Sequence, residues 1–262
     1  MMQRSRRRRL ALGVTVTVAF AALLAGCSNN NGQNSLDPAG EDAQKIMDLF
    51  TPIFWIAVVV GVGVFAAVVF TLIKYRERTG DESPKQVHGS TPLEIGWTIA
   101  PAVILAAIAV PTILLIFDIA ERPSGDDVLK VEVTGKQWWW QYEYPEQAMV
   151  PTQAVVTANE LHIPVDTEVE LALHACDAGF SEGECNVIHS FWVPELAGKE
   201  DVIPGRENYL TISANRTGTF LGQCAEYCGL SHANMRLRVI VHEKGRVRGL
   251  GREPTGPRPA VG

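Results

Sequence analysis

The sequence predicts a mixed membrane protein: a hairpin of two transmembrane helices followed by an all-β Greek-key sandwich. Two stretches carry the first half of this reading. Pro52 to Ile73 and Ile95 to Phe117 hold no charged residue, and each is long enough to cross a hydrocarbon core of about 30 Å. The second half rests on a change of period. From about residue 126 the apolar residues recur every second position, as in Val128-Leu-Lys-Val-Glu-Val133, Val169-Glu-Leu-Ala-Leu173 and Leu237-Arg-Val-Ile-Val241. Gly, Pro and Asn punctuate these runs, and residues 126 to 243 suffice for a sandwich.

The N-terminus reads as a targeting segment. Arg4 and Arg6 to Arg9 precede an apolar run, Leu10 to Leu24, that is too short to be a good span. It closes on Leu24-Ala25-Gly26-Cys27, which resembles a bacterial lipoprotein signal cleaved before a lipid-bearing Cys27. An ordinary signal peptide or an uncleaved anchor is the competing reading. The loop between the two spans holds Lys74, Arg76, Arg78 and Lys85, so it is expected on the cytoplasmic side, with both outer ends of the hairpin outside. Pro101 and Pro111 interrupt the second span, which suits a hairpin packed on a partner. The expected organisation is a signal at 1–26, an outer segment at 27–50, the hairpin at 51–118, the sandwich at 119–243 and a disordered tail at 244–262.

Charge narrows the partners. The net charge of the chain is −6, but residues 118 to 243 hold 20 Asp and Glu against 8 Lys and Arg, a net −12. So acidic a domain repels nucleic acid and favours a basic protein partner, chiefly through the association rate.

The chemistry is concentrated in Gly222-Gln-Cys-Ala-Glu-Tyr-Cys-Gly-Leu-Ser-His-Ala-Asn-Met-Arg236. Within twelve residues it offers two thiolates, an imidazole and a thioether, as Cys224, Cys228, His232 and Met235. Soft sulfur donors mixed with imidazole suit copper far better than calcium, magnesium or manganese. Two thiolates at this spacing can bridge two copper ions, which makes single-electron transfer the natural task. A further His ligand is expected from His189, in the apolar stretch Asn186-Val-Ile-His-Ser-Phe-Trp-Val-Pro-Glu-Leu196. A Cys224–Cys228 disulfide and a zinc site built from the same residues are the alternatives.

With these residues in place, the chain resembles subunit II of the haem-copper cytochrome c oxidases. The resemblance is carried by Gly222 to Arg236, Val187 to Leu196, Gly135-Lys-Gln-Trp-Trp-Trp-Gln-Tyr-Glu-Tyr144, Ile203-Pro-Gly-Arg206 and Leu93-Glu-Ile-Gly-Trp-Thr98, and it spans about residues 50 to 243. It implies a cupredoxin-like sandwich holding a dinuclear copper centre (CuA) that takes electrons from cytochrome c and passes them to haem in subunit I. It also implies a place in the cell membrane among other oxidase subunits, with the copper domain on the outer face. By position, Cys224 and Cys228 bridge the two coppers. His189 and Met235 complete one copper; His232 and the Glu226 carbonyl complete the other. The Glu226 carboxylate is expected to hold magnesium or manganese at the junction with subunit I, as suits a hard ion. Trp138 matches the position where electrons enter, with Trp138 and Trp140 expected on one face of a strand and Trp139 on the other. Glu94 matches the mouth of a proton-uptake path.

Some features depart from the family pattern. Cys176 and Cys185 sit in what reads as an insertion and are expected to form a disulfide. Asn186 stands where the family commonly has Asp, which bears on docking rather than on copper. His88, His162, His174 and His242 have no assigned chemistry. Quinol-oxidising relatives lack the copper ligands, and nitrous oxide reductase needs a further catalytic domain for which there is no room. A copper-delivering lipoprotein would expose its ligands, whereas this loop reads as enclosed by Phe, Trp and Tyr.

Overall fold

A computed structural model describes residues 33–76, 86, 88–125, 127–145, 155–175 and 187–244, together with Val18. The proposed lipid site Cys27, the Cys176–Cys185 pair and the tail from residue 245 lie outside the described residues, as does nearly all of the signal segment.

Among the described residues beyond Val18, two long helices come first, α1 (Glu41–Lys74) and α2 (Thr91–Ile119), both long and apolar enough to cross a membrane. Helix α1 starts at Glu41 rather than at Pro52, which lies inside it. Glu41 and Asp42 favour the positive end of the helix dipole, but with Lys45 and Asp48 they keep this first part from reading as a membrane span. At 1.5 Å per residue its 34 residues measure about 51 Å, so the helix projects well beyond the hydrocarbon core. Lys45 Nζ reaches Asp118 at 3.0 Å, Glu41 at 3.2 Å and Asp42 at 3.3 Å. These partly exposed pairs contribute little stability singly. Together they align the outer start of α1 with the outer end of α2. Below them, apolar side chains such as Trp55, Phe65, Trp97 and Phe117 face outward uncovered.

Among the described residues ten strands follow: β1 (Leu129–Lys136), β2 (Trp139–Tyr144), β3 (Val155–Ala158), β4 (Glu160–Pro164), β5 (Val169–His174), β6 (His189–Trp192), β7 (Lys199–Val202), β8 (Asn208–Ile212), β9 (Gly218–Cys224) and β10 (Arg236–His242). They form two five-stranded sheets, in the orders β3-β2-β1-β5-β8 and β4-β10-β9-β6-β7. Most pairings are antiparallel, but β1 pairs β5 and β4 pairs β10 in parallel. The alternation predicted for β10 appears as buried Leu237, Val239 and Val241 between more exposed residues. Strand β5 differs: five of its six residues are buried, with Glu170 held under Arg122. Between the sheets lie fully buried Trp140, Tyr142, Leu161, Leu171 and Phe191.

The hairpin is fastened to this sandwich twice. Before α1, Ala39 is fully buried, and the amides of Ala39 and Gly40 donate to the Glu195 carbonyl at 2.7 and 3.0 Å. After α2, Arg122 donates to both oxygens of Glu170 at 2.8 Å, and its guanidinium lies 3.4 Å from the centre of the Tyr209 ring. The fork geometry makes this pair stronger than an ordinary surface ion pair. Arg122 holds the Glu170 carboxyl below the usual carboxylate range. A depressed folded-state value stabilises the fold above the ordinary carboxylate pKa, and that gain is lost as pH falls through the depressed value. Arg122→Gln should therefore lower the melting temperature at pH 7, with the gap to wild type narrowing towards pH 3. An equal gap at both pH values would contradict this.

Candidate metal centre

Strands β9 and β10 place the double-cysteine loop. Their antiparallel register pairs Gln223 with Arg236, and the Cys224 amide donates to the Met235 carbonyl at 2.9 Å, closing the base of the loop. Strand β6 pairs with β9 so that Phe191 lies opposite Cys224, while the Ala225 amide donates to the Ser190 carbonyl at 2.9 Å. His189, at the head of β6, is thereby carried to the loop across 35 residues of sequence. A short 3-10 turn, His232–Asn234, returns the chain to β10.

The sulfur-rich donors converge. Cys224 Sγ lies 3.8 Å from Cys228 Sγ, 3.8 Å from His189 Nδ1 and 3.2 Å from the Glu226 carbonyl. Cys228 Sγ lies 3.7 Å from His232 Nδ1 and 3.6 Å from Met235 Sδ. His189, Cys224, Cys228 and Met235 are all buried, whereas His232 is only half-buried. A sulfur–sulfur bond is about 2.05 Å long. At 3.8 Å apart, the two cysteines are free thiols and not the disulfide that the sequence left open.

Burial sets the protonation of this group. Loss of water, reinforced by His232, brings His189 down to about 4, so its imidazole is neutral at physiological pH. Burial and then the adjacent Cys224 push the Cys228 thiol up to about 12. The metal-free site therefore holds a neutral imidazole and a protonated Cys228, which must release its proton as metal binds. Among the described residues, His189 Nε2 is buried with no hydrogen-bond partner, and Nδ1 has only a long sulfur contact. Burying an imidazole so poorly satisfied is unfavourable, and a metal bond at Nδ1 would offset that cost. Neutral imidazole beside thiols and a thioether is the donor chemistry of copper. The residues present fit the metal.

The structure corrects two expectations about the aromatics. Trp138 is not on a strand; it sits with Gln137 in the tight turn between β1 and β2, so alternation starts only at Trp139. Its indole Nε1 donates to the Cys228 carbonyl at 3.2 Å. Trp140 is fully buried, 5.8 Å from His189 and 5.3 Å from Phe191 between ring centres. Nor is the loop wholly enclosed, since Tyr227 and Leu230 at its tip are 71% and 96% exposed.

Elsewhere, the Glu226 side chain is exposed at the rim of the loop and accepts the Tyr227 amide at 2.9 Å. Glu94 stands in the first turn of α2, where its carboxylate accepts the Ser90 amide at 3.3 Å. Two residues of the Gly135–Tyr144 stretch have roles that the sequence does not announce. Gly135 lies on β1 where a Cβ would come within 2.9 Å of His189 Cδ2, and Gln137 reaches the loop from the β1–β2 turn. Their signal was only their position just ahead of the Trp run.

Comparison with known proteins agrees with this geometry. Residues 28–115 match the family described as cytochrome c oxidase subunit II, transmembrane domain, and residues 129–242 match the periplasmic domain of the same subunit. Cytochrome c oxidase subunit 2 of Alkalihalophilus pseudofirmus is 39% identical over 243 residues, covering 89% of this chain and 67% of that protein. The Cereibacter sphaeroides protein of the same name is 32% identical over 264 residues, covering 84% of each chain. Quinol oxidase subunit 2 of Bacillus subtilis is 32% identical over 231 residues, covering 86% of this chain and 65% of its own length. The chain thus spans about two thirds of the length of the first and third of these relatives. Matched over both its membrane hairpin and its sandwich, the chain belongs to the cytochrome c oxidase subunit II family.

Proposed function

We propose that this chain is the electron-uptake subunit of a respiratory cytochrome c oxidase, taking electrons from cytochrome c at a dinuclear copper centre. From there they pass to haem in subunit I, where oxygen is reduced and proton translocation is driven. The observation that carries the reading is the convergence of both cysteines with His189, His232, Met235 and the Glu226 carbonyl. Relatives in the same family oxidise quinol or cytochrome c by name, and a complete soft-donor set is what a copper-bearing member needs.

Two ions account for the donors better than one. Among the His, Cys, Asp and Glu side chains of the described residues, His189, Cys224 and Cys228 have donor atoms all within 4.8 Å of one another, and His232 falls outside that group. A single tetrahedral zinc takes four ligands, each at about 2.0–2.3 Å, which leaves donors over here. A metal–thiolate bond of about 2.3 Å exceeds half of the 3.8 Å sulfur–sulfur gap, so an ion can bond both sulfurs from either side. His189 and Met235 would complete one ion, His232 and the Glu226 carbonyl the other. Such a pair supplies a one-electron carrier whose charge is spread over two metals. The chain's own part is to hold the donors still: the β6–β9 and β9–β10 pairings fix His189, Cys224 and Met235, so that little moves when an electron arrives.

The other roles follow from the family. The Glu226 carboxylate faces outward from the copper loop and would share a magnesium or manganese ion with subunit I. The uncovered apolar faces of α1 and α2 would meet lipid, subunit I and other oxidase subunits in the cell membrane, with the sandwich on the outer side. Glu94 would stand at the mouth of a proton path, beside its present contact with the start of α2. Cys27 would carry a lipid anchor, and Cys176 and Cys185 a disulfide. Trp138 would admit electrons, and its indole bond to the Cys228 carbonyl supplies a short link to a bridging ligand.

That last role is testable by rapid mixing of the assembled oxidase with reduced cytochrome c. Trp138→Phe should slow reduction of the copper centre several-fold while two coppers per chain remain. Unchanged kinetics would make Trp138 a packing residue.

A further inference from the structure

Gln137 has no place in the ligand set, yet its side chain touches the metal loop. Its Nε2 donates to the carbonyl of Cys228 at 2.7 Å, and Trp138 Nε1 donates to the same oxygen at 3.2 Å. A peptide carbonyl has two lone pairs, so these two donors saturate it. The next residue, Gly229, has φ of +118°, and a Cβ there would lie 2.9 Å from Gln137 Nε2 and 3.3 Å from the Trp138 ring. The β1–β2 turn and the metal loop therefore interlock at one point, and glycine is what lets them approach.

That point is well chosen. Cys228 Sγ contacts Cys224, His232 and Met235, three of the other five donors. Fixing the Cys228 carbonyl fixes the backbone from which this sulfur hangs. We propose that Gln137 is a positioning residue for the metal centre: with Trp138 it clamps the Cys228 carbonyl, setting the place of the bridging sulfur and the potential around it. The effect on potential rests on the dinuclear copper reading; the clamp itself does not. Both N–H groups direct the positive ends of their dipoles at Cys228. A positive field disfavours the oxidised, more positive centre, so the clamp raises the reduction potential.

The test uses the full-length chain with and without copper. Gln137→Met keeps the length of the side chain and removes its donor; Gln137 is exposed, so the fold should tolerate the change. In the copper-free protein, amide hydrogen exchange over residues 226–232 should quicken about fivefold, the effect of one net hydrogen bond. In the loaded protein the reduction potential should fall and copper should pass to a chelator faster. Gln137→Lys restores a donor of similar reach and should return hydrogen exchange towards the wild-type rate. Unchanged exchange in Gln137→Met, or a Lys variant exchanging like the Met variant, would overturn the clamp. Wild-type protein that binds no copper pair would overturn the copper reading alone, since the copper-free exchange still decides the clamp.

Discussion

Cys224→Ser should abolish the dinuclear centre and, with it, the oxidation of cytochrome c by the assembled oxidase. Cys224 is 3% exposed and touches a donor from each proposed half of the centre, His189 at 3.8 Å and the Glu226 carbonyl at 3.2 Å. A serine hydroxyl is a hard donor that stays protonated near neutral pH, so it cannot replace a bridging thiolate. The copper-free fold should survive, because a buried hydroxyl in place of a thiol destabilises by only about 1–3 kcal/mol. The expected result is a folded chain that holds at most one copper. Retention of two coppers with an unchanged spectrum would refute the bridging role.

Gly135→Ala should damage the same centre from a residue that is no ligand. The added methyl would sit 2.9 Å from His189 Cδ2, 3.1 Å from Cγ and 3.3 Å from Trp140 Cζ3. Carbon atoms in good contact lie about 3.5–4.0 Å apart, so something must give. Gly135 is on an inner strand between β2 and β5, and Trp140 is fully buried, which leaves the His189 ring as the part that moves. Overpacking of this kind costs about 1–3 kcal/mol. Denaturation should show a loss in that range, and electron paramagnetic resonance should show two coppers made unequal. Unchanged stability and an unchanged spectrum would mean that the ring has room to yield.

The double-cysteine loop was legible because its donors lie within one short stretch, and chemistry can be read from residue types. His189 was harder: only the pairing of β6 with β9 brings it in, and no spacing rule states that pairing. The hairpin was legible from its uncharged spans, but the start of α1 was not, since Glu41, Asp42 and Lys45 break the hydropathy while leaving the helix intact. The sandwich followed from alternation. Its parallel pairings, β1 with β5 and β4 with β10, bring together segments distant in sequence and leave no local mark. Alternation puts Trp138 on a strand because it does not reveal where a tight turn ends. Gly135 and Gln137 were silent for a different reason. Neither has metal-binding chemistry, and each matters only through what folding sets beside it: the His189 ring for one, the Cys228 carbonyl for the other.

The most direct measurement is the electron paramagnetic resonance spectrum of the purified, oxidised full-length chain loaded with copper, taken with a metal count. A dinuclear centre predicts two coppers per chain and a hyperfine pattern from one unpaired electron shared equally between two copper nuclei. A single-copper pattern, or one zinc and no signal, would contradict it.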